Sequence, residues 1–247
     1  MILTPWSAIR DFKYEVYRAR RSIFSDKTNQ FLQSVREGLA NRIMIKPKGT
    51  PLFRSQAGYK EDHNEDYAKY CGHDVQRMKP ISGLAIEGRS NPKGIPVLYL
   101  SSDEITSMSE LRPQVAQIIS CGQFVTNREL KLVNCCTEDN KYTETQLIFS
   151  QPASKEEWND QLWFQINKLF SQPVLNEPHN ALYVPTQILS ELFNHEGFDG
   201  LYFKSHLGTG INYVIFEPAN VDMTNCVLKY TQKVEYSFEE FDQRTHL

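Results

Sequence analysis

Apolar positions along the first 43 residues recur at helical spacing. Phe12 and Val16 lie four apart, as do Phe31, Val35 and Leu39, which places such side chains on one stripe of a helix. Residues 6–43 are therefore expected to be mostly helical, with Arg18, Arg20 and Arg21 on a solvated face. The pattern then shortens. Gly49-Thr50-Pro51 reads as a turn and Leu52-Phe53-Arg54 as a short strand, followed by Ala57-Gly58-Tyr59. Residues 60–83 are polar and carry Pro80 and Gly83, so a long loop is expected there.

Val97 to Leu100 reads as a strand, and Ser101, Ser102 and Asp103 are all good helix N-caps. Ile105, Met108 and Leu111 then recur every three residues, which suits a short helix ending at Arg112 before Pro113. Glu110 falls in its last turn, where a carboxylate opposes the helix dipole. Strands are expected around Cys121–Val125 and Leu130–Val133. Residues 155–170 form a strong helix, with Trp158, Leu162, Ile166 and Leu169 on one stripe. Leu182 to Val184 reads as a strand. Pro185-Thr186 opens a helix that buries Ile188, Leu189, Leu192 and Phe193 and stops at Gly197. Residues 200–205 and 211–216 read as two strands joined by the Gly208-Thr209-Gly210 turn. With no internal repeat and no linker, the expectation is one α+β domain. Residues 1–47 form its N-terminal helical extension, 48–220 its body and 221–247 a tail packed on it.

Composition narrows the function. The chain has 247 residues, 40% hydrophobic and 12% aromatic, enough for a sizeable core. A net charge of −3, from 27 basic and 30 acidic residues, argues against a polyanion-binding surface over the whole molecule. Direct nucleic-acid binding is therefore not expected, while a local cationic pocket remains open. No run of 18 apolar residues suggests a membrane span, and Met1-Ile2-Leu3-Thr4-Pro5-Trp6 lacks the pattern of a secretory signal. Five cysteines match no disulfide framework, so a cytoplasmic location is expected. Cys71, His73 and His63 fit no zinc spacing, and no metal is expected.

Candidate chemistry gathers around Gly88-Arg89-Ser90-Asn91-Pro92-Lys93-Gly94-Ile95-Pro96-Val97-Leu98-Tyr99-Leu100. A rigid Gly/Pro loop holds a cation and an amide and feeds a strand bearing a tyrosine. Arg54 and Arg89 suit a diphosphate, because each guanidinium can pair two oxygens. Tyr99 offers a flat face to an aromatic ring. Glu110 can stabilise positive charge developing on a sugar carbon. The Ser205 hydroxyl can orient a ribose or an amide. Each also has a structural reading. Arg89 and Glu110 could form a salt bridge, Arg54 could be structural, Asn91 could serve the turn before Pro92, Tyr99 could be core, and Ser205 could end a strand.

The loop and strand, followed by Thr106 and Glu110-Leu111-Arg112-Pro113, resemble the signature of the RES domain, a family named for its Arg, Glu and Ser. Gly197-Phe198-Asp199-Gly200-Leu201-Tyr202-Phe203-Lys204-Ser205 and Gly210-Ile211-Asn212-Tyr213 resemble its Ser region, and Leu52-Phe53-Arg54 its first Arg strand. The resemblance spans roughly residues 48–220, and the helical stretch before Arg54 is similar to the front of longer members. It implies an ADP-ribosyltransferase-like fold, two small packed β-sheets flanked by helices around an NAD cleft. It also implies NAD as substrate, cleaved at the nicotinamide–ribose bond by a glycohydrolase or phosphorylase, as in bacterial toxins paired with helix-turn-helix antitoxins. Carried over, Glu110, Arg89 and Ser205 would be catalytic. Arg54, Arg89, Asn91, Tyr99 and Ser205 would bind NAD. Ser101 and Met108 depart from the small residues common in the family, and the Asn-Pro…His-Pro ending of compact members is absent. The alternatives are ADP-ribosyl transfer to a macromolecule, or a non-catalytic module that binds NAD or ADP-ribose. A homo-oligomer is possible.

Overall fold

The computed structural model describes residues 4–62, 69–139, 141–172 and 180–238. The N-terminal helical stretch is broken in two. Helix α1 (Pro5–Arg18) is capped by the Thr4 side chain, and α2 (Asp26–Gly38) by Ser25. Both caps are hydroxyls accepting from backbone N–H groups of the first turn. The break is bridged by Glu15, whose carboxylate accepts from Ser25 N (2.8 Å), Ser25 Oγ (2.5 Å) and Thr28 Oγ1 (2.7 Å). The extension does not stay helical to residue 47: β1 (Ile43–Lys46) joins the sheet beside the later strand at Leu130–Asn134.

Next come β2 (Pro51–Ala57), β3 (Lys60–Asp62), β4 (Lys69–Cys71) and the short α3 (Val75–Met78). The region expected to be a long loop therefore contains a two-stranded sheet, β3 paired with β4, and a helical turn. His63 lies outside the described residues. Then follow β5 (Leu98–Ser101), α4 (Glu104–Ser109), β6 (Ile118–Thr126), β7 (Leu130–Asn134), α5 (Glu144–Phe149) and α6 (Lys155–Ser171). The strand expected at Leu182–Val184 is instead a 3₁₀ turn, Asn180–Tyr183, running into α7 (Val184–His195). A three-residue apolar run does not by itself distinguish strand from buried helix, and Pro185, in the first turn of α7, suits a helix start. The chain closes with β8 (Gly200–Lys204), β9 (Ile211–Ile215) and β10 (Val221–Tyr230). The first part of the expected tail is thus a ten-residue edge strand paired along β6.

Eight strands form one hydrogen-bonded sheet in the order β1-β7-β8-β9-β5-β2-β6-β10. The contact between β5 and β2 is slight: a single pair, Phe53 with Ser101, joins them. By contrast, β2 pairs with β6 over seven positions and β5 with β9 over four. The sheet therefore divides into β1-β7-β8-β9-β5 and β2-β6-β10. Leu52 and Phe124 of the second part share one buried cluster with Leu98, Leu100, Leu132, Tyr213 and Ile215 of the first. The molecule has the expected α+β fold flanked by helices, its main eight-stranded sheet pinched at one pair rather than cut into two. Alternate side chains of the central strands, such as Leu201, Phe203 and Val214, face a second cluster built from α1, α2, α6 and α7 around Phe12, Trp163, Phe170 and Phe193. Burial of each such large side chain contributes roughly 1.5–3 kcal/mol. The seam between β2 and β5 is where the paired sheet is thinnest.

Candidate functional site at the sheet seam

A cavity of about 340 Å³ lies over the seam, within the range of small-molecule sites. Strand β2 contributes Phe53, Arg54 and Ser55, and β5 contributes Tyr99, Leu100 and Ser101. Glu110, Leu111 and Arg112 follow α4, Phe170 and Ser171 end α6, and Asn212 and Tyr213 come from β9. Ser107 of α4 and Phe203 of β8 also line it, and Arg89, His206 and Leu207 reach it from loops. Four of the six expected site residues therefore converge on one cavity: Arg54, Arg89, Tyr99 and Glu110.

Arg54 crosses the seam, its Nη1 donating to the Tyr99 carbonyl at 3.0 Å. Its Nε is buried without a hydrogen-bond partner among the described residues. No carboxylate pairs with it there, and burial pushes its pKa down to about 10, an effect only partly offset by Tyr99. A desolvated cation with spare donors is costly unless an anion meets it. Just below it a buried hydroxyl pair, Ser107 donating to Ser55 at 2.8 Å, joins α4 to β2.

Arg89 is held at the far wall. Its Nη1 donates to the Leu169 carbonyl (2.9 Å) and its Nη2 to that of Gln172 (2.8 Å). These are carbonyls at the C-terminal end of α6, where a cation satisfies free acceptors and the helix dipole alike. Nε and one hydrogen on each terminal nitrogen stay available for a ligand. No ion pair joins Arg89 to Glu110 among the described residues, so the salt-bridge reading is not realised. The loop around it is fastened to α7: Thr186 Oγ1 donates to the Arg89 carbonyl at 2.6 Å, and Gln187 Nε2 reaches the Gly88 and Asn91 carbonyls.

Asn91 does not line the cavity. It is 2% exposed, its Nδ2 donates to the carbonyls of Ile86 (3.0 Å) and Ile95 (2.9 Å), and its Oδ1 accepts from the Tyr99 hydroxyl at 2.8 Å. Its amide is consumed in closing the loop, so the expected ligand contact gives way to the turn reading. Tyr99 is similarly engaged at its hydroxyl, which also accepts from Ser90 N at 2.8 Å. Burial drives that phenol well above its ordinary pKa. What Tyr99 offers the cavity is its ring.

Glu110 follows the last residue of α4 and is presented by two partners. Ser205 Oγ donates to its Oε1 at 2.7 Å, and Asn212 Nδ2 donates to the same oxygen at 2.6 Å. Ser205 is thus behind the carboxylate rather than in the wall. It is positioned because the 205–210 turn sits tightly on the start of α4. Gly210 N donates to Thr106 Oγ1 (3.0 Å) and Ile211 N to Ser102 Oγ (3.0 Å). A Cβ on Gly210 would crowd the side-chain oxygens of Asp103, Ser102 and Thr106, which would have to shift. Ser205 Oγ in turn accepts from Gly208 N at 2.9 Å.

Asn212 was not anticipated from the sequence. Its Oδ1 accepts from Ser101 Oγ at 2.9 Å, so the carboxylate ends a chain Ser101–Asn212–Glu110 that spans β5, β9 and α4. The available signal was an asparagine inside the otherwise apolar Ile211–Ile215 strand, where that residue type is disfavoured. Glu110 Oε2 has no hydrogen-bond partner among the described residues. The arrangement offers one oriented carboxylate facing two desolvated cations, beside an aromatic ring.

No curated protein matches the chain. A chain of the M. tuberculosis MbcT–MbcA toxin–antitoxin complex, known from its crystal structure, is similar to it at 12% identity and a TM-score of 0.42, covering 80% of this chain and 93% of that one. The RES domain model matches residues 67–239, starting later and running further than the sequence resemblance did and taking in β10. That match covers well over half of the sequence and includes Arg89, Glu110, Ser205 and the cavity-lining segments between them, and the chain belongs to the RES domain family.

Proposed function

We propose that the seam cavity binds NAD and that the protein cleaves its nicotinamide–ribose bond. The observation that carries this reading is that Arg54 and Arg89 line the same cavity as Glu110, with no carboxylate partner of their own among the described residues. A diphosphate supplies the anionic charge such a pair lacks. Family membership supports the same ligand. Arg54 precedes the matched residues, so its part rests on the cavity alone.

With the diphosphate held by Arg54 and Arg89, the dinucleotide would be fixed along the cavity and its reacting carbon restrained near Glu110. The Tyr99 ring would take an aromatic face. As nicotinamide departs, positive charge grows on the ribose carbon and its ring oxygen. Glu110, held through Oε1 by Ser205 and Asn212, would stabilise that charge with Oε2. Its two hydrogen bonds act before the reaction begins, so no reorganisation is needed. Water or phosphate then attacks the ribosyl carbon and the proton is lost to solvent. A toxin of this type needs a silencing partner, and the family resemblance suggests an antitoxin with a helix-turn-helix.

Incubation with ring-labelled and adenine-labelled NAD, with and without phosphate, tests the reaction. Free nicotinamide with free ADP-ribose or its phosphorylated form is expected. Adenine label retained on macromolecules of an extract would instead assign ADP-ribosyl transfer. Tight NAD binding with no nicotinamide released over hours would assign a sensing module.

A further inference from the structure

A second cavity, of about 560 Å³, lies between α2 and α6 and shares no lining residue with the one at the seam. Helix α2 gives it Ser34 and Gly38, and the 3₁₀ turn Leu39–Arg42 that follows gives it Arg42. The first half of α6 gives Trp158, Asn159 and Trp163. Its volume is that of a small-molecule site.

Two donors in its wall lack what they need. Trp163 is 1% exposed, and its indole Nε1 is buried with no hydrogen-bond partner among the described residues. A buried N–H left unmet is costly. Gly38 makes room for this edge of the indole, since a Cβ there would come within 2.6 Å of Nε1. Over the face of the same ring, 5.0 Å from its centre, lies the Arg42 guanidinium. Its Nη1 donates to the Cys136 carbonyl at 3.2 Å, and no other hydrogen bond engages the group among the described residues. Burial holds its pKa below the ordinary arginine value, an effect only partly offset by its neighbours. No carboxylate stands within ion-pair distance of it among the described residues. Of the acidic residues in the wall, Asp160 is bonded to Lys141 (2.8 Å), Glu37 pairs with Lys155 (3.6 Å), and Glu156 is engaged by its own backbone N–H and Ser154 at the start of α6.

A water satisfies the indole N–H but brings no charge to the guanidinium. An oxyanion meets both, as acceptor for the indole and as charge partner in the fork geometry that a guanidinium favours. The Trp158 side chain gives an apolar wall to the body that carries the anion. We infer that this cavity is a second binding site, for a small molecule bearing a carboxylate or phosphate oxyanion, received by Trp163 Nε1 and Arg42. The inference does not depend on the reaction at the seam.

The chain has three tryptophans, so the indole N–H resonances of ¹⁵N-labelled protein report on the site directly, with Trp163→Phe assigning the signal. Acetate, citrate and inorganic phosphate are titrated against sodium chloride at equal ionic strength. A saturable shift of the Trp163 N–H resonance, with that of Trp6 unmoved, is expected from at least one of the three. A response to acetate and citrate alone assigns a carboxylate ligand, and a response to phosphate alone a phosphorylated one. Arg42→Met should weaken the response at least tenfold, as loss of a charge-assisted contact predicts. Arg42→Lys, which keeps the charge and loses the fork, should weaken it less, and serves if the methionine variant does not fold. Arg54→Met removes a cation from the seam and should leave the response unchanged, which separates it from binding there. No shift beyond that of chloride with any probe, or undiminished affinity in the folded Arg42 variants, overturns the inference.

Discussion

At the scale of single residues, the site separates groups that line the cavity from groups that hold those groups. Glu110→Gln keeps both hydrogen bonds to Oε1 in reach but removes the charge. Its turnover should fall on the order of 10²–10³, measured as nicotinamide release by protein of unchanged thermal stability. Asn212→Ala leaves the carboxylate to Ser205 alone and should cost about tenfold in kcat with little change in KM, since geometry rather than binding is lost. Asn212→Asp should cost more, because it sets a second carboxylate against Glu110. Arg54→Met makes a prediction of opposite sign for stability and function. Removing a desolvated cation should leave the melting temperature unchanged or higher, while NAD no longer raises it. The cavity-lining set is largely legible: Arg54, Arg89, Tyr99 and Glu110 stand out as charged or aromatic residues on rigid elements. Asn91 and Ser205 lie one step behind the cavity wall, bonded to Tyr99 and Glu110. Both residue types serve turns as readily as ligands, and sequence does not reveal whether a side chain points into a wall or along it.

At the scale of elements, the site depends on how closely the 205–210 turn seats on α4. Gly210→Ala should force these elements apart, costing ~1–3 kcal/mol in unfolding free energy and lowering turnover, read together from denaturant melts and kinetics. The Gly208-Thr209-Gly210 turn was visible in the sequence, but its partner was not, because α4 is about a hundred residues away. The N-terminal helices make a separate, pH-dependent prediction. The Ser25 hydroxyl, with Thr28, the Ser25 N–H and Arg20, holds the Glu15 carboxyl below its ordinary pKa of 4.5. A lowered folded-state pKa contributes stability that is present above pH 4.5 and lost as pH falls through the folded value. Glu15→Gln should therefore flatten the acid limb of the stability profile in urea melts, while leaving turnover at neutral pH unchanged. The break between α1 and α2 was hidden because Phe12, Val16, Phe31 and Val35 keep helical spacing on both sides of it.

At the scale of the whole molecule, the cavity follows from a sheet that nearly comes apart. The apolar runs Leu201–Phe203 and Tyr213–Ile215, on either side of the Gly208-Thr209-Gly210 turn, make those strands plain. The single Phe53–Ser101 pair that joins the two parts of the sheet has no signature in local pattern, because it depends on register between distant segments. The gathering of Arg54, Arg89 and Glu110 at one cleft follows from the family resemblance rather than from periodicity. A ligand bridging Arg54 and Arg89 ties the seam together. Hydrogen exchange should therefore slow in β2 and β5 when NAD binds, and stay unchanged in the distant β1 edge. The most direct measurement of the central claim is nicotinamide release from NAD by purified wild-type protein beside Glu110→Gln. Continuous multiple-turnover release by the wild type is expected, reduced at least a hundredfold in the variant on the scale of a lost transition-state contact. Equal release by the two proteins, or none by a wild type that is folded and binds NAD, would contradict it.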